Sequence, residues 1–216
     1  MPLTYSVQAE VIDITQDVPQ AGDIFFVDTN IWYWATYPNA DSFSLSDRSR
    51  PNPYQIDHYP NYLQGTVVAG SLLYCSGLSL SELAHRIESA EYEIFRSEHL
   101  KNQKLSLKSF RRNYSAQRNQ VVAEVLSAWS QVTSLANVLD LNVDNSTTNA
   151  ALSRFETQLI DGYDLFILET MKAHSITKVI TDDGDYATVP GIQVFTANQA
   201  AIKAADKRGK LLSRQA

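Results

Sequence analysis

Short apolar runs alternate along the chain with segments in which apolar residues recur at helical spacing. The short runs predict strands, and the longer periodic segments predict helices. The predicted strands are residues 24–28, 72–76, 136–144, 177–183 and 192–197, and the predicted helices are residues 30–37, 78–88, about 106–134, 148–160 and 161–175. Strands that alternate with helices predict an α/β fold with a mainly parallel sheet, in which functional sites gather at the carboxyl ends of the strands.

Residues 37–62 form a long stretch without a regular pattern. They contain Pro38, Pro51, Pro53 and Pro60, with Asp and Ser residues between them. We therefore predict a long irregular connection, and connections of this length inside a compact chain often carry function. Pro60 is placed to open a helix that runs through residue 69, because the first helical position tolerates a missing N–H.

The composition narrows the class of protein. A single cysteine, Cys75, in 216 residues excludes an internal disulfide and favours a reducing compartment. The N-terminus carries acidic residues and no basic start followed by an apolar core, so we expect no signal peptide. Residues 59–81 are uncharged, but their many Gly, Ser, Asn and Gln residues argue against a membrane span. We therefore expect a cytoplasmic protein with no membrane partner.

The net charge of −6 hides two basic segments. Residues 96–118 hold seven Lys or Arg residues against one Glu, and residues 201–216 hold five against one Asp. This separation suits an acidic site that needs cations beside a basic surface that attracts phosphate. The alternative is a solvated helix face followed by a disordered tail. We favour that alternative for residues 201–216 and leave both interpretations open for residues 96–118.

Four acidic residues stand where predicted strands and helices meet: Asp28, Glu82, Asp164 and Asp183. Each alone has a purely structural explanation, because acids cap helices, favour helix N-termini and occupy turns. Gathered at one edge of a parallel sheet, they would repel one another by roughly 4 kcal/mol for a pair about 4 Å apart. Such a group is stable only with protons or cations, and its oxygen ligands favour Mg²⁺ or Mn²⁺.

The segments around these acids resemble the motifs of PIN-domain nucleases. The segments are FFVDTN, LSLSELA, DGYDLFILETM and TDDGDYATVPGIQVFTAN. The last is the most specific, because the family pattern has Thr, Asp, Asp and an aromatic residue before a Val-Pro-Gly turn. The resemblance covers residues 24–198 and implies a three-layer α/β/α sandwich that cleaves RNA phosphodiester bonds with one or two Mg²⁺ or Mn²⁺ ions. Residues 1–23 would then be an N-terminal extension and residues 199–216 a basic C-terminal tail.

The resemblance also implies roles for individual residues. The acids that hold the metal and carry catalysis are Asp28, Glu82, Asp164 and Asp183, with Asp185 as a candidate fifth ligand and Asn30 and Thr181 as polar supports. Glu169 departs from the family pattern, which has a small residue there, and this predicts a different packing of its helix. The loop at 37–62 and a helical excursion at 89–134 lengthen the chain beyond compact family members, most of which are toxins. These insertions argue against a toxin role more than against the chemistry.

These observations predict a metal-dependent endoribonuclease, either free-standing or the toxin of a toxin–antitoxin pair. RNA phosphates would bind the basic residues Lys104, Lys108, Arg111 and Arg112. Unpaired bases could stack on Trp32, Trp34, Tyr54 or Tyr59, although we favour core positions for both tryptophans. The expected partners are RNA, an antitoxin protein and a second copy of the chain.

Two alternative functions stay open. One is a degenerate PIN fold that binds RNA or protein without cleavage, which the four intact acids argue against. The other is a phosphotransfer enzyme with Asp28 as its nucleophile. Asn30 disfavours it, because the phosphatase-like arrangement has a second Asp at that position.

Overall fold

The computed structural model describes residues 6–41, 53–99 and 105–214. Its strands are β1 (Glu10–Asp13), β2 (Ile24–Val27), β3 (Leu72–Ser76), β4 (Asn137–Leu139), β5 (Lys178–Ile180), β6 (Gln193–Thr196) and β7 (Leu211–Leu212). Its α-helices are α1 (Thr29–Thr36), α2 (Tyr54–Ala69), α3 (Gly77–His99), α4 (Leu107–Asn113), α5 (Ser115–Leu135), α6 (Asn145–Thr157), α7 (Asp164–Ala173) and α8 (Gln199–Asp206), and a 3₁₀ helix spans Gly184–Thr188.

Within these ranges the strands form a seven-stranded sheet in the order β4-β3-β2-β5-β6-β1-β7. Every neighbouring pair is parallel. The predicted α/β fold with a parallel sheet is therefore confirmed. Because parallel strands end at the same edge of a sheet, the residues that follow β2, β3 and β5 are brought together.

Helices cover both faces of the sheet. Side chains alternate along a strand, so Phe25 and Val27 of β2 face one layer and Phe26 faces the other. The first layer is formed by α1, α2, α3 and α5, and the second by α7, α8 and the 3₁₀ helix. The predicted three-layer sandwich is thus confirmed. None of the helices in the described ranges combines the length and the apolar character needed to cross a membrane.

Both ends of the described chain belong to the sheet. β1 lies between β6 and β7 and pairs with both. Beyond β7, Arg214 forms ion pairs with Asp17 and Asp23, which precede β2. The sheet thus extends outside the predicted 24–198 boundaries. The prediction of a disordered tail is wrong for residues 201–214, because α8 and the pairing of β7 with β1 order them.

The helical region after β3 differs in detail from the prediction. α3 continues to His99, and the predicted helix at about 106–134 is divided into α4 and α5 at Tyr114, whose backbone is non-helical. Phe95, Phe110 and Val121 form a small core between these helices, separate from the two faces of the sheet. The excursion at 89–134 therefore has packing of its own, and residues 100–104 of it lie outside the described residues.

α2 begins at Tyr54, earlier than the predicted start at Pro60, and Pro60 lies inside the helix. The carboxylate of Asp182 accepts hydrogen bonds from the side chains of Tyr54 (2.7 Å), Gln55 (2.9 Å) and Tyr59 (2.6 Å). These long-range bonds help to offset the helical hydrogen bond that Pro60 removes. The irregular connection is therefore shorter than predicted at its C-terminal end, and residues 42–52 of it lie outside the described residues.

Candidate active site

The strand register brings Asp28 and Thr181 together at the carboxyl edge of the sheet. Val27 pairs with Ile180, so the residues that follow them on β2 and β5 are neighbours. The Thr181 hydroxyl donates a hydrogen bond of 2.6 Å to Asp28 Oδ2, and the Asp28 N–H donates to the Ile180 carbonyl. Thr181 therefore fixes the orientation of the Asp28 carboxylate.

Asp28 is both a helix cap and a buried carboxylate. It is the N-cap of α1, and its Oδ1 accepts a hydrogen bond of 2.6 Å from the Thr29 N–H. Its Oδ2 accepts a second side-chain bond, from Asn30 Nδ2 at 2.5 Å, in addition to the bond from Thr181. Asp28 is only 3% exposed. A cap needs one acceptor oxygen, so capping does not account for the burial or for the two donors on Oδ2.

Asp164 is the first residue of α7 and is held by Tyr186. The fully buried Tyr186 hydroxyl donates a hydrogen bond of 2.9 Å to Asp164 Oδ1. Asp161, the other acid of this segment, is exposed and does not cap α7, because the N-cap position belongs to Tyr163. Asp164 is therefore the acid of this segment that Tyr186 orients, while the charge of Asp161 acts on Asp183.

Asp183 and Asp185 follow β5. Asp183 caps the 3₁₀ helix, since its Oδ1 accepts a hydrogen bond of 2.8 Å from the Asp185 N–H. The Asp183 N–H in turn donates to the Thr181 hydroxyl at 2.9 Å, which links it to Asp28. Asp183 is half-buried and Asp185 is exposed. Asp185 therefore supports Asp183 through its backbone, and its carboxyl lies at the outer side of the group.

Glu82 lies in the second turn of α3. This helix begins at Gly77, directly after β3, so Glu82 is beyond the first turn and the helix dipole does not explain it. Arg86, one turn later, donates from Nε to Glu82 Oε1 at 3.1 Å. Sequence reasoning missed Arg86 as a member of the site. The only signal is its spacing of four residues from Glu82, which is also typical of an ordinary surface pair.

The four acids act on one another electrostatically. Burial, together with the charges of Glu82 and Asp183, raises the pKa of Asp28 to about 7, against the opposing effects of the Thr181 hydrogen bond and of Arg86. Burial and the charge of Asp28 raise the pKa of Asp164 to about 8. Burial also raises the pKa of Asp183. Without a cation, this group therefore holds protons near neutral pH.

The donor chemistry of the group suits a hard cation, because every candidate ligand is an oxygen. Two buried hydroxyls at the same edge, Thr29 Oγ1 and Ser76 Oγ, have no hydrogen-bond partner among the described residues. Within those residues, however, no three His, Cys, Asp or Glu side chains are already placed as a metal site. Thr181 holds the carboxylate of Asp28 in place, Tyr186 that of Asp164, and Arg86 that of Glu82. These three carboxylates must move closer together to bind one ion.

The aromatic residues considered for base stacking separate into different environments. Trp32 and Tyr59 are fully buried, and Tyr54 is bonded to Asp182. Trp34 is partly buried and lines a cleft that also contains Glu82. Among these four, Trp34 is thus the aromatic residue that lines a cleft next to the acidic group.

Some basic residues of the segment 96–118 form ion pairs inside the folded protein. Arg111 and Arg118 both form ion pairs with Glu88, which is 4% exposed. Lys108 and Arg112 are exposed on α4, and Lys104 lies outside the described residues. Arg111 is therefore engaged in an ion pair with a buried carboxylate. Of the four predicted phosphate contacts, Lys108 and Arg112 remain available in the described chain.

Glu169 has a structural role. It forms an ion pair with Arg154 of α6, and both side chains are largely buried. A small residue at position 169 would leave the Arg154 guanidinium without this carboxylate. Glu169 thus joins α6 to α7 through an ion pair, and the predicted difference in the packing of its helix stays a prediction.

No family model matches the chain, and no curated protein matches it in sequence. Among solved structures, the chain is similar to one described as the crystal structure of VapBC2 from Rickettsia felis bound to a DNA fragment from their promoter. The sequence identity is 15%, the alignment covers 80% of this chain and 98% of the other, and the TM-score is 0.46. A likeness of this strength indicates neither family nor function, which leaves the geometry of the site as the basis for a functional assignment.

Proposed function

We propose that this chain is a metal-dependent endoribonuclease that hydrolyses RNA phosphodiester bonds with one or two Mg²⁺ or Mn²⁺ ions. One observation carries the proposal: Asp28, Asp164, Asp183 and Glu82 share one edge of a parallel sheet, and burial with mutual repulsion raises the pKa of Asp28 and Asp164. Strongly perturbed carboxyls of this kind are concentrated at functional sites. The motif resemblance to PIN-domain nucleases agrees with the same chemistry.

The residues that would hold the cation are Asp28, Glu82, Asp164 and Asp183, with Asp185 as a candidate fifth ligand. A bound Mg²⁺ or Mn²⁺ would lower the pKa of a water molecule and offset the charge that develops on the phosphate. The chain prepares this site through Thr181 and Asn30, which orient Asp28, and through Tyr186, which orients Asp164.

A covalent mechanism has little support in the chain. Cys75 is buried, and burial raises the pKa of its thiol to about 12, so the reactive thiolate is not formed near neutral pH. The phosphatase-like arrangement has a second Asp two residues after its nucleophile, and here that position is Asn30, which donates to Asp28. Attack by an activated water on RNA is therefore the reaction that the site favours.

Further parts of the proposal name the substrate and the protein partners. RNA is the proposed substrate. An antitoxin protein, and with it a toxin role, follows from the motif resemblance and is a further proposal, as is a homodimer. A short open reading frame next to this gene would favour the toxin role, and size-exclusion chromatography of the purified chain measures the oligomeric state.

Asp164→Asn is expected to abolish RNA cleavage, whereas Asp161→Asn is expected to preserve it nearly in full. Both changes remove one negative charge from the same segment, but only Asp164 is bonded to Tyr186 within the acidic group. The measurement is cleavage of a labelled single-stranded RNA in Mn²⁺, with an EDTA reaction as the blank.

The outcomes of this assay separate the functions. Cleavage that persists in EDTA would contradict a metal-dependent mechanism. Binding of RNA without cleavage in any divalent cation would favour the degenerate, non-cleaving module. Loss of activity in Asp161→Asn with retention in Asp164→Asn would show that the motif has been assigned out of register.

The basic residues are expected to divide into RNA-binding residues and structural residues. Lys108→Ala with Arg112→Ala should lower the magnitude of the slope of log K against log salt by about 0.7 for each phosphate that is no longer neutralised, with little change in stability. Arg111→Ala should instead lower the free energy of unfolding by about 1–3 kcal/mol, because buried Glu88 loses one of two cationic partners. Fluorescence anisotropy over a salt series and urea melts measure the two effects. An unchanged slope in the double variant would place RNA binding elsewhere.

A further inference from the structure

A cleft of about 700 Å³ opens beside the acidic group. Tyr33 and Trp34 of α1 line one side, and Glu82, Arg86 and Ser89 of α3 line the other. Because Glu82 belongs both to the acidic group and to the cleft, the two are continuous. A molecule that lies in the cleft therefore reaches the place where we propose that RNA is cleaved.

The side chains of the cleft suit an unpaired nucleobase. Tyr33, Trp34 and Tyr92 contribute rings, and those of Tyr33 and Trp34 pack edge to face with centroids 5.3 Å apart. Trp34 is only partly buried, whereas the partly buried Tyr92 ring packs against Phe110 and has Arg96 over it. Unpaired bases stack on such rings, and Ser89 adds a polar atom for the edge of a base, while Glu93, also in the lining, is ion-paired with Arg96. The volume also lies within the usual range for sites that bind small molecules.

Arg86 lies at the junction of the cleft and the acidic group. Its guanidinium bonds to Glu82, and its charge opposes the rise that burial causes in the pKa of Asp28 and Asp183. The same charge opposes the rise that burial causes in the pKa of Tyr33, one of the aromatic residues that line the cleft. The Arg86 side chain is 42% exposed, so it can exchange Glu82 for an anion from solvent. A guanidinium at this position suits a phosphate that lies between the cleft and the acidic group, since its planar fork matches phosphate oxygens.

We propose that the cleft binds one unpaired base of the RNA next to the cleaved bond, and that Arg86 binds the phosphate that joins this base to the acidic site. This inference rests on the proposed nuclease function and deepens it. It specifies single-stranded RNA as the substrate and places base recognition between α1 and α3. A base held in a duplex cannot enter, because its faces are stacked and its edge is paired.

The first test fills the cleft. Ser89→Phe places a ring among the cleft residues, and Ser97→Phe makes the same change on an exposed position of the same helix that does not line the cleft. The probe is a short single-stranded 2′-O-methyl RNA, checked to remain intact during the measurement. In a series of probes each position in turn is made abasic, and binding is measured by fluorescence anisotropy.

For the wild type and Ser97→Phe, we expect one abasic position to weaken binding about 5- to 100-fold, which corresponds to the removal of one stacked base. Ser89→Phe should bind the intact probe more weakly by a similar factor and should be insensitive to the abasic position. The duplex form of the probe should bind the wild type more weakly than the single strand.

The second test replaces Arg86 of the cleft lining by Gln, which adds no bulk, so it remains valid if Phe at position 89 disturbs α3. Arg86→Gln should lower the magnitude of the salt slope by about 0.7, as expected for one phosphate contact on a single strand. Lys172→Gln, which removes one exposed charge from the last turn of α7, should leave the slope unchanged.

The outcomes distinguish this inference from the function on which it rests. If the wild type neither binds the probe nor cleaves RNA in Mn²⁺, the proposed function fails and the inference fails with it. If the wild type cleaves RNA but the abasic series is flat, or Ser89→Phe binds like Ser97→Phe, only the cleft inference is overturned. The cleft would then belong to another occupant, such as a segment of a protein partner.

Discussion

We expect Asp28→Asn to abolish RNA cleavage and to stabilise the metal-free protein at about pH 8. In the folded protein Asp28 keeps its proton up to about pH 7, whereas in the unfolded chain it loses the proton near pH 4. The folded state therefore binds more protons between these values. For that reason the stability of the metal-free wild type falls as the pH rises through this range, by up to about 1.4 kcal/mol per pH unit for each such carboxyl. Asn does not titrate and escapes this loss.

Near pH 5 the advantage of the Asn variant should disappear. Asp28 is then protonated and exerts little repulsion, while the amide group of the variant has one acceptor oxygen and cannot accept from the Thr29 N–H as well as from Thr181 and Asn30, at a cost of about 1 kcal/mol. The difference in stability between variant and wild type should thus change sign between about pH 5 and about pH 8. Thermal melts in EDTA at both pH values measure it.

The same prediction extends to the effect of a divalent cation on stability. Mn²⁺ at about a hundredfold over its dissociation constant should add on the order of 2.7 kcal/mol to the stability of the wild type and much less to that of Asp28→Asn. Asp144→Asn is the matched control, because Asp144 is also an N-cap but is exposed on α6. It should melt like the wild type with and without Mn²⁺. If Asp28→Asn behaves like this control under all conditions, capping is the better account of Asp28.

Arg214→Ala is expected to cost about 3–5 kcal/mol, the largest loss of stability among the changes considered. The guanidinium bonds to Asp17 (Nε to Oδ1, 2.7 Å) and to Asp23 (Nη1 to Oδ2, 2.7 Å), and both carboxylates are almost fully buried. It also lies over the ring of Phe195 at 4.7 Å. Without Arg214, the buried Asp17 keeps a hydrogen bond from Tyr62 and the buried Asp23 keeps its ion pair with Lys178. These contacts do not replace a guanidinium that bonds to both carboxylates. Urea denaturation measures the change.

Two further variants make this prediction specific. Arg208→Ala should change stability by less than about 0.5 kcal/mol, because Arg208 is exposed and its bond to the Ser6 hydroxyl, 3.2 Å long, lies at the surface. Arg214→Lys should recover only part of the loss, since an ammonium group lacks the planar fork that serves two carboxylates at once. Equal stability of Arg214→Ala and Arg208→Ala would contradict the role given to the C-terminal ion pairs.

Elements that are buried on both sides can be predicted closely from sequence. The predicted strand at 72–76 coincides with β3, because a buried parallel strand is a short apolar run and Gly70 and Gly77 bound it. The predicted strand at 136–144 is reduced to β4, which has one neighbour and loses its ladder after Leu139. β1 and β7 have two to four residues each and depend on partners at the other end of the chain, so local sequence carries little sign of them.

The acids of the site can be singled out from sequence, but only some of the side chains that hold them can. Thr181 is predicted as a polar support, and the strand register explains why it reaches Asp28. The role of the Tyr186 hydroxyl is not predictable, because an aromatic residue after an acidic turn is equally expected in a core. The anchoring role of Asp182 is also invisible, since its three partners lie on α2, whose start the sequence does not reveal.

The position of β1 between β6 and β7 has a consequence for how the protein forms during translation. Residues 10–13 are synthesised long before either of their sheet partners, residues 193–196 and 211–212. Contacts so distant in sequence are costly in loop entropy and slow folding. The strands that carry the acidic group, β2, β3 and β5, are complete earlier. A nascent chain would therefore assemble the edge that carries the acidic group before β1 can pair with β6 and β7.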